Sequence, residues 1–332
     1  MMKEKKETKT LEFDDNRSLA VLFGPHNANL DRIEDKAGVT IQTLGNQVSV
    51  TGEAQNVRSA VEILNKLYQK AAKEGTVEIA DVDALNRFAE GGDEGKPMNF
   101  TPDVDLSLHT RKRHIMPRTK GQAEYIAAMG NYEMVFGLGP AGTGKTYLAV
   151  AKAVVLMLEG RIDRIILTRP AVEAGENLGF LPGDLKEKID PYLRPLYDAL
   201  YEMLPADLVD KKIETGEIEI APLAFMRGRT LNNAMVILDE AQNTTPMQMK
   251  MFLTRLGENS RMVINGDLSQ TDLPRGVTSG LTDSLEIVSK IDKIGIVHFS
   301  EHDVVRHGLV AQIVKAYDQR QATRKGYVES NR

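Results

Sequence analysis

Residues 137 to 150 read GLGPAGTGKTYLAV, four glycines, a proline and a lysine set between two apolar runs. No other stretch constrains the chain so tightly. Gly139, Pro140, Ala141, Gly142, Thr143, Gly144, Lys145 and Thr146 fit G-x-x-x-x-G-K-[ST] in full. The fit comes in the required context, after a strand-like run and at the opening of a helix-like one. Glycines at these places let backbone N–H groups turn inward around phosphates where a Cβ would clash. The helix N-terminus adds a favourable dipole. Lys145 is expected to reach the β- and γ-phosphates and the Thr146 hydroxyl to bind Mg²⁺, so the implied ligands are ATP and Mg²⁺.

From residue 121 onward strand-like and helix-like segments alternate. EMVFGL, RIILT, AMVILD, RMVING and IGIVHF are continuous apolar runs, and helices such as PMQMKMFLTRL fall between them. That pattern predicts an α/β fold with a parallel sheet covered by helices on both faces. Asp239 and Glu240 end the run AMVIL. Carboxylates at a strand's carboxyl end sit in the crevice where such sheets bind ligands. Asp239 is expected to hold Mg²⁺, through water, and Glu240 to orient and deprotonate the attacking water. VINGDLSQTDLPRG places Asp267 and Gln270 just after another strand, and Arg275 follows. The Gln270 amide can bond the γ-phosphate and the water together, and so sense hydrolysis.

The three motifs together resemble the ATPase core of superfamily 1 helicases. More closely, GPAGTGKT, LTRPAVEAGENLGFLPGDLKEK, ILDEAQN, NGDLSQTDLPRG and VVRHGLVAQIVKAY resemble the PhoH family over about residues 111 to 318. The resemblance implies an ATP-binding protein with a single RecA-like P-loop NTPase core, associated with RNA metabolism. By motif, Gly139 to Thr146, Asp239, Glu240 and Gln270 form its nucleotide site. Gln122, in TKGQAEYI, stands where related helicases read adenine with a glutamine amide. An exposed helix-start residue is the alternative. Thr168, Arg169 and Pro170, with the EAGENLGF that follows, occupy a region that touches the nucleic-acid backbone in helicases. An interdomain or intersubunit loop is the other reading. Tyr192, Tyr197 and Tyr201 are spaced to stack on bases, or to pack a helix face in the core or at an oligomer interface.

The chain departs from a full helicase in one respect. After Gln270 only 62 residues remain (332 less 270), too few for a second RecA-like domain. The arginine that such a domain would send to the γ-phosphate must come from another subunit or be missing. Arg275 and Arg306 are the candidates, supplied in trans within a homo-oligomer such as a ring.

The amino-terminal part is a separate unit. SLAVLFGPHNANLDRIEDKAG reads as two helices around a Gly-Pro turn, VTIQTLGNQVSVTG as a hairpin. NVRSAVEILNKLYQKAAK reads as an amphipathic helix with Val57, Val61, Ile63, Leu64 and Leu67 on one face. FGPHNANLDRIEDKAGVTI resembles a KH-like α+β fold, whose GxxG loop clamps a nucleic-acid backbone. Here Gly24 is kept and Asn27 replaces the second glycine. Asparagine accepts left-handed geometry, but its side chain takes space. The expected organisation is a disordered tail over 1–10, the KH-like domain over 11–90, a linker over 91–120, the ATPase domain over 121–320 and a flexible tail over 321–332. The basic run RKRHIMPRTK, with Arg111, Lys112 and Arg113, lies in the linker. It is a candidate grip on RNA phosphates or a solvated linker.

With no cysteine, thiol catalysis, disulfides and cysteine-ligated metal are excluded. The six histidines show no ligand spacing. The start MMKEKKETKT has no apolar stretch after its lysines, and YLAVAKAVVLML, interrupted by Lys152, is too short to span a membrane. The expectation is a cytoplasmic protein without membrane contact. A net charge of −5 argues against a globally basic nucleic-acid binder while allowing local basic patches. The leading reading is a PhoH-like, Mg²⁺-dependent ATPase acting on or with RNA. A slow nucleotide switch that recruits a ribonuclease or ribosome-maturation factor is the first alternative. A small-molecule kinase fits the ILDEAQN and GDLSQ pair poorly.

Overall fold

In the computed structural model, described over residues 6–89, 106–170, 185–274, 276–305, 310 and 313, the chain opens with a strand. β1 (Lys6–Glu12) pairs antiparallel with β3 (Gln47–Glu53), which also pairs with β2 (Thr40–Leu44). The resulting sheet has the order β1-β3-β2. Residues 6–10 therefore belong to a strand and not to the expected tail. Thr8 and Thr10 hydrogen-bond Thr51 and Ser49 across the ladder, each at 2.9 Å. Cross-strand hydroxyl pairs of this kind stabilise a strand whose charged composition hides it. Between β1 and β2 lie α1 (Asn16–Phe23), a 3-10 turn over Pro25–Asn27, and α2 (Ala28–Ala37). The Asp15 carboxylate caps α1 by accepting from the Arg17 and Ser18 N–H groups. After β3 come α3 (Ala54–Glu74) and α4 (Ile79–Ala89). The five apolar positions expected on one face of α3 are all buried, against Leu22, Ile33, Val48 and Val50.

The chain divides into two compact units, Met1–Ser107 with Met116–Ala123, and Leu108–Ile115 with Glu124–Arg332. The second begins with a small hairpin, β4 (Leu108–His109) and β5 (His114–Ile115), where the sequence predicts linker. Leu108 and Ile115 pair across it and are buried, while Arg111, Lys112 and Arg113 are exposed in its turn.

The remaining elements are α5 (Lys120–Asn131), β6 (Met134–Leu138), α6 (Lys145–Leu158), β7 (Arg164–Arg169), α7 (Leu185–Met203), α8 (Ala206–Glu214), β8 (Ile218–Pro222), β9 (Ala234–Leu238), α9 (Pro246–Leu253), β10 (Arg261–Gly266), α10 (Gly280–Val288) and β11 (Ile294–His298). Six of them form one sheet in the order β11-β6-β10-β9-β7-β8, every pair parallel. The five strands read from sequence are present. β8 escapes that reading because Glu219 breaks its apolar run; it lies at one edge of the sheet and is half-buried after Ile218.

Alternate strand residues serve opposite faces. Phe136, Leu138, Val236, Leu238 and Ile264 pack with Met249 and Phe252 of α9 and Leu281 and Val288 of α10. The interleaved Val135, Ile165, Leu167, Ile237 and Val263 are equally buried, on the side where α6 lies over β7, β9 and β10 with α7 beside it. Burial on both faces is why these strands are continuously apolar. Among the described residues no helix is long and apolar enough to cross a membrane.

Candidate functional site

The phosphate loop joins β6 to α6 at the carboxyl edge of the sheet. Gly139 has φ 144°, and a Cβ there would collide with the carbonyl oxygen of Phe299, so only glycine fits. The Phe299 N–H continues the β6 ladder by donating to Leu138 O at 2.7 Å, and the Val305 N–H donates to Gly142 O at 3.0 Å. The segment after β11 thus braces the loop from outside. Lys145 Nζ donates to Gly139 O (2.6 Å), Pro140 O (2.8 Å) and Thr143 Oγ1 (3.3 Å). Burial pushes the Lys145 ammonium's pKa below its ordinary value, and the carboxylates of Asp267, Asp239 and Glu240 act against that shift.

Facing the loop are the acids that follow β9. The Asp239 N–H bonds Thr168 O at 2.9 Å, so Asp239 still belongs to the sheet. Its Oδ1 accepts the Thr146 hydroxyl at 2.6 Å. A hydroxyl and a carboxylate oxygen this close are hard donors of the kind Mg²⁺ takes, so Thr146 and Asp239 fit the metal. Glu240 has a left-handed φ of 55°. Its Oε2 accepts from Gln242 Nε2 at 2.6 Å, and Gln242 Oε1 accepts the Asp267 N–H at 3.1 Å. Asp267 Oδ1 is held by the Ser269 N–H and hydroxyl, while its buried Oδ2 and the Thr168 hydroxyl lack a hydrogen-bond partner among the described residues. Gln270 is exposed on the turn after β10, its N–H closing that turn on Asp267 O at 3.1 Å.

Other expected residues sit differently. Arg169 turns inward: Nε donates to Asp239 Oδ2 at 2.8 Å, Nη2 donates to the same oxygen, and Nη1 donates to Tyr192 O at 3.0 Å. These bonds occupy a guanidinium considered for nucleic-acid contact. Lys112 caps the end of α7, its Nζ donating to Tyr201 O at 2.7 Å and its N–H to Met203 O at 3.1 Å. A cation at a helix C-terminus meets the negative end of the dipole. Gln122 is buried at the start of α5, accepting the Arg118 N–H at 2.6 Å and donating its own N–H to Thr119 Oγ1 at 3.2 Å. It stands at the helix start, buried and not exposed. Tyr192 is exposed, and Tyr201 donates to Asp210 Oδ1 at 2.7 Å. Arg275, Arg306, the EAGENLGF segment, residues 91–105 and the tail over 321–332 lie outside the described residues.

A family model for PhoH-like protein matches residues 114–318. The chain belongs to the PhoH-like family. It is 51% identical to a PhoH-like protein of Bacillus subtilis over 90% of this chain and 93% of that one. It is 48% identical to one of Mycobacterium tuberculosis over 89% of this chain and 84% of that one. Protein PhoH of Escherichia coli matches at 50% identity over 61% of this chain and 58% of its own length. Among solved structures, the Sulfolobus solfataricus SWI2/SNF2 ATPase core in complex with dsDNA aligns with a TM-score of 0.34 at 13% identity. That alignment covers 57% of this chain and 46% of that one, too slight a likeness to bear on the fold.

In this PhoH-like chain the residue that sequence reasoning passed over is Gln242. It is 2% exposed and links the acid after β9 to the turn after β10. In sequence nothing sets it apart from its polar neighbours Asp239, Glu240 and Asn243 in ILDEAQN. Asp267 was noticed only for its position, and its unpartnered oxygen is invisible in sequence. In the amino-terminal unit, Gly24 has φ 72° while His26 and Asn27 are left-handed at 53° and 62°. Gly24 also packs on the buried Asn29, whose amide holds Leu22 O at 2.9 Å. A cavity of about 420 Å³ beside α2 is lined by Asp31, Glu34 and Asp35, with Arg32 paired to Asp83. Such a lining repels phosphates.

Proposed function

We propose that this PhoH-like chain is an ATP-binding, Mg²⁺-dependent ATPase that works in RNA metabolism as a homo-oligomer. The observation that carries the reading is the convergence of Lys145, Thr146, Asp239 and the tethered Glu240 at one edge of the parallel sheet. Lys145 holds the β- and γ-phosphates. Thr146 and Asp239 hold Mg²⁺, which when bound neutralises phosphate charge. Glu240 accepts the proton of the attacking water, and its carboxylate is kept in position by Gln242. Gln270 stands ready to sense the γ-phosphate. The order β11-β6-β10-β9-β7 with the phosphate loop after β6 supports a RecA-like core. The element order β1-α1-α2-β2-β3-α3 supports a KH-like amino-terminal domain, and the left-handed Asn27 supports a loop able to follow a nucleic-acid backbone. Arg111 and Arg113, exposed in the hairpin turn, add positive charge for RNA. Arg275 or Arg306 of a neighbouring subunit completes the site in trans. A cytoplasmic location and a ribonuclease or ribosome-associated partner belong to the same reading.

A second reading, a slow nucleotide-dependent switch or adaptor that does not unwind RNA, is favoured by one observation. Both oxygens of Asp239 are already taken, by Thr146 and Arg169, which suits slow metal entry. Steady-state ATP hydrolysis at several protein concentrations, with and without single-stranded RNA and beside Glu240→Gln, separates the two. Turnover rising with protein and RNA and lost in the variant supports the trans-assembled ATPase. Slow turnover indifferent to RNA, with ATP binding retained, supports the switch.

A further inference from the structure

We propose that Arg169 is a built-in competitor for the metal at Asp239. A divalent cation on that carboxylate and the Arg169 guanidinium exclude one another, and the arginine's departure carries metal occupancy to α7. The inference rests on the reading of Thr146 and Asp239 as metal ligands.

The sheet itself creates the contact. β7 and β9 are parallel neighbours, with Thr168 opposite Leu238, so the next residues, Arg169 and Asp239, stand side by side at the sheet's carboxyl edge. Arg169 grips Oδ2 with two of its nitrogens while Thr146 occupies Oδ1, so the carboxylate has no oxygen unengaged. Nη2 also stands 3.9 Å from Glu240 Oε1. The Arg169 side chain is 16% exposed and that of Asp239 4%. Solvent therefore screens little of the repulsion between a guanidinium and an arriving dication. Mg²⁺ imposes near-octahedral geometry and keeps several waters, and a guanidinium clasping the same acid leaves no room for that shell.

The third arm gives the displacement a consequence. Nη1 holds the Tyr192 carbonyl of α7 at 3.0 Å. The guanidinium is a rigid planar fork, so it cannot swing away from Asp239 and keep that bond. Binding of metal and release of α7 are one event.

The test is binding of the fluorescent nucleotide mant-ADP, titrated with Mg²⁺ or held in EDTA, for wild type and Arg169→Gln. The variant is expected to reach half-saturation at roughly tenfold lower Mg²⁺, the scale of removing one poorly screened like charge. Its affinity in EDTA is expected to stay within about threefold, because no Arg169 contact points at the phosphate loop. Hydrogen exchange supplies a readout independent of nucleotide affinity. In wild type the amides of α7 around Tyr192 exchange faster with Mg²⁺ and mant-ADP than with mant-ADP in EDTA. In Arg169→Gln they exchange fast in both. An unchanged or raised Mg²⁺ half-saturation in the variant overturns the competition while leaving the nucleotide site intact. Absence of mant-ADP binding by wild type overturns the site reading and this inference with it. If Arg169→Gln fails to fold, wild-type exchange still decides, since α7 protection indifferent to Mg²⁺ overturns the coupling.

Discussion

Replacing Gln242 by methionine tests whether the amide between Glu240 and the turn after β10 sets the geometry of hydrolysis. Methionine keeps the length and the burial and removes both hydrogen-bonding ends. The Asp267 N–H, 3.1 Å from Gln242 Oε1, is then left in a buried environment without its acceptor, a loss of about 1–3 kcal/mol. The bond to Glu240 Oε2 is short at 2.6 Å, but the Glu240 side chain is 48% exposed and water replaces the donor. That part contributes only about 0.5 kcal/mol after screening. Together they predict a loss of about 2 kcal/mol, which in a unit of this size lowers Tm by roughly 4–8 °C. The kinetic effect is larger than the stability effect. An untethered base misplaced by about 1 Å lowers kcat by up to ~100-fold, while KM for ATP, set by Lys145 and the loop, stays near wild type. Gln242→Glu is the informative partner. It keeps an acceptor for the Asp267 N–H, yet it sets a buried carboxylate against Glu240, so it restores neither kcat nor the full stability. Thermal unfolding and steady-state hydrolysis read the two effects separately. Wild-type kcat in Gln242→Met, or a kcat loss matched by an equal rise in KM, would refute a positioning role.

Three further perturbations probe other parts of the molecule. Lys152 lies in α6, where burial is the largest influence and lowers its pKa, with Glu159 acting against it and Arg161 and Arg261 reinforcing it. The folded state therefore binds fewer protons than the unfolded one between that lowered value and the ordinary 10.5. Stability is fully recovered above 10.5 and lost as pH falls through the lowered value. Lys152→Met should raise stability near pH 7 by about 0.5–1 kcal/mol and flatten the rise of the urea midpoint as pH climbs toward 10.5. Phe252→Ala, at a fully buried position under the sheet, should cost about 3–5 kcal/mol in urea unfolding; a loss below 1 kcal/mol would contradict its place in the core. Asn27→Gly removes a side chain from a left-handed loop position and should tighten single-stranded RNA binding by roughly threefold in fluorescence anisotropy. Unchanged affinity would argue that the loop does not meet RNA.

The parts of this structure legible in sequence are those where one physical requirement dominates locally. Strands buried on both faces must be apolar throughout, so β6, β7, β9 and β10 announce themselves, while β11, at an edge, is read from its apolar run alone. A loop that wraps phosphates must be glycine-rich, and the Gly139 φ of 144° shows the demand being met. The parts that were not legible depend on partners distant in sequence. β1 is held by hydroxyl pairs with Thr51 and Ser49, about 40 residues away. Lys112 looks like one of three equivalent basic residues until α7 ends beside it. Arg169 stands in a motif position that suggests an outward contact, and only the pairing of β7 with β9 turns it onto Asp239. Gln242 is two residues from Glu240, but its second bond depends on β10 lying next to β9.

The strand order also explains how two adjacent carboxylates serve different purposes. β9 is flanked by β7 on one side and β10 on the other, so its carboxyl end has two neighbours of different chemistry. Asp239 continues the ladder toward β7 and meets a cation, Arg169. Glu240 leaves the ladder through a left-handed residue, a conformation that costs a non-glycine about 1–2 kcal/mol. That turn points its side chain toward the amide that reaches β10. With an ordinary extended φ, Glu240 would continue the strand and its side chain would fall on the opposite face, away from Gln242. The backbone strain at Glu240 is thus what lets one acid answer to Thr146 and Arg169 while its neighbour answers to the turn carrying Asp267 and Gln270. The two acids are separated by strand pairing and one φ angle, not by distance along the chain.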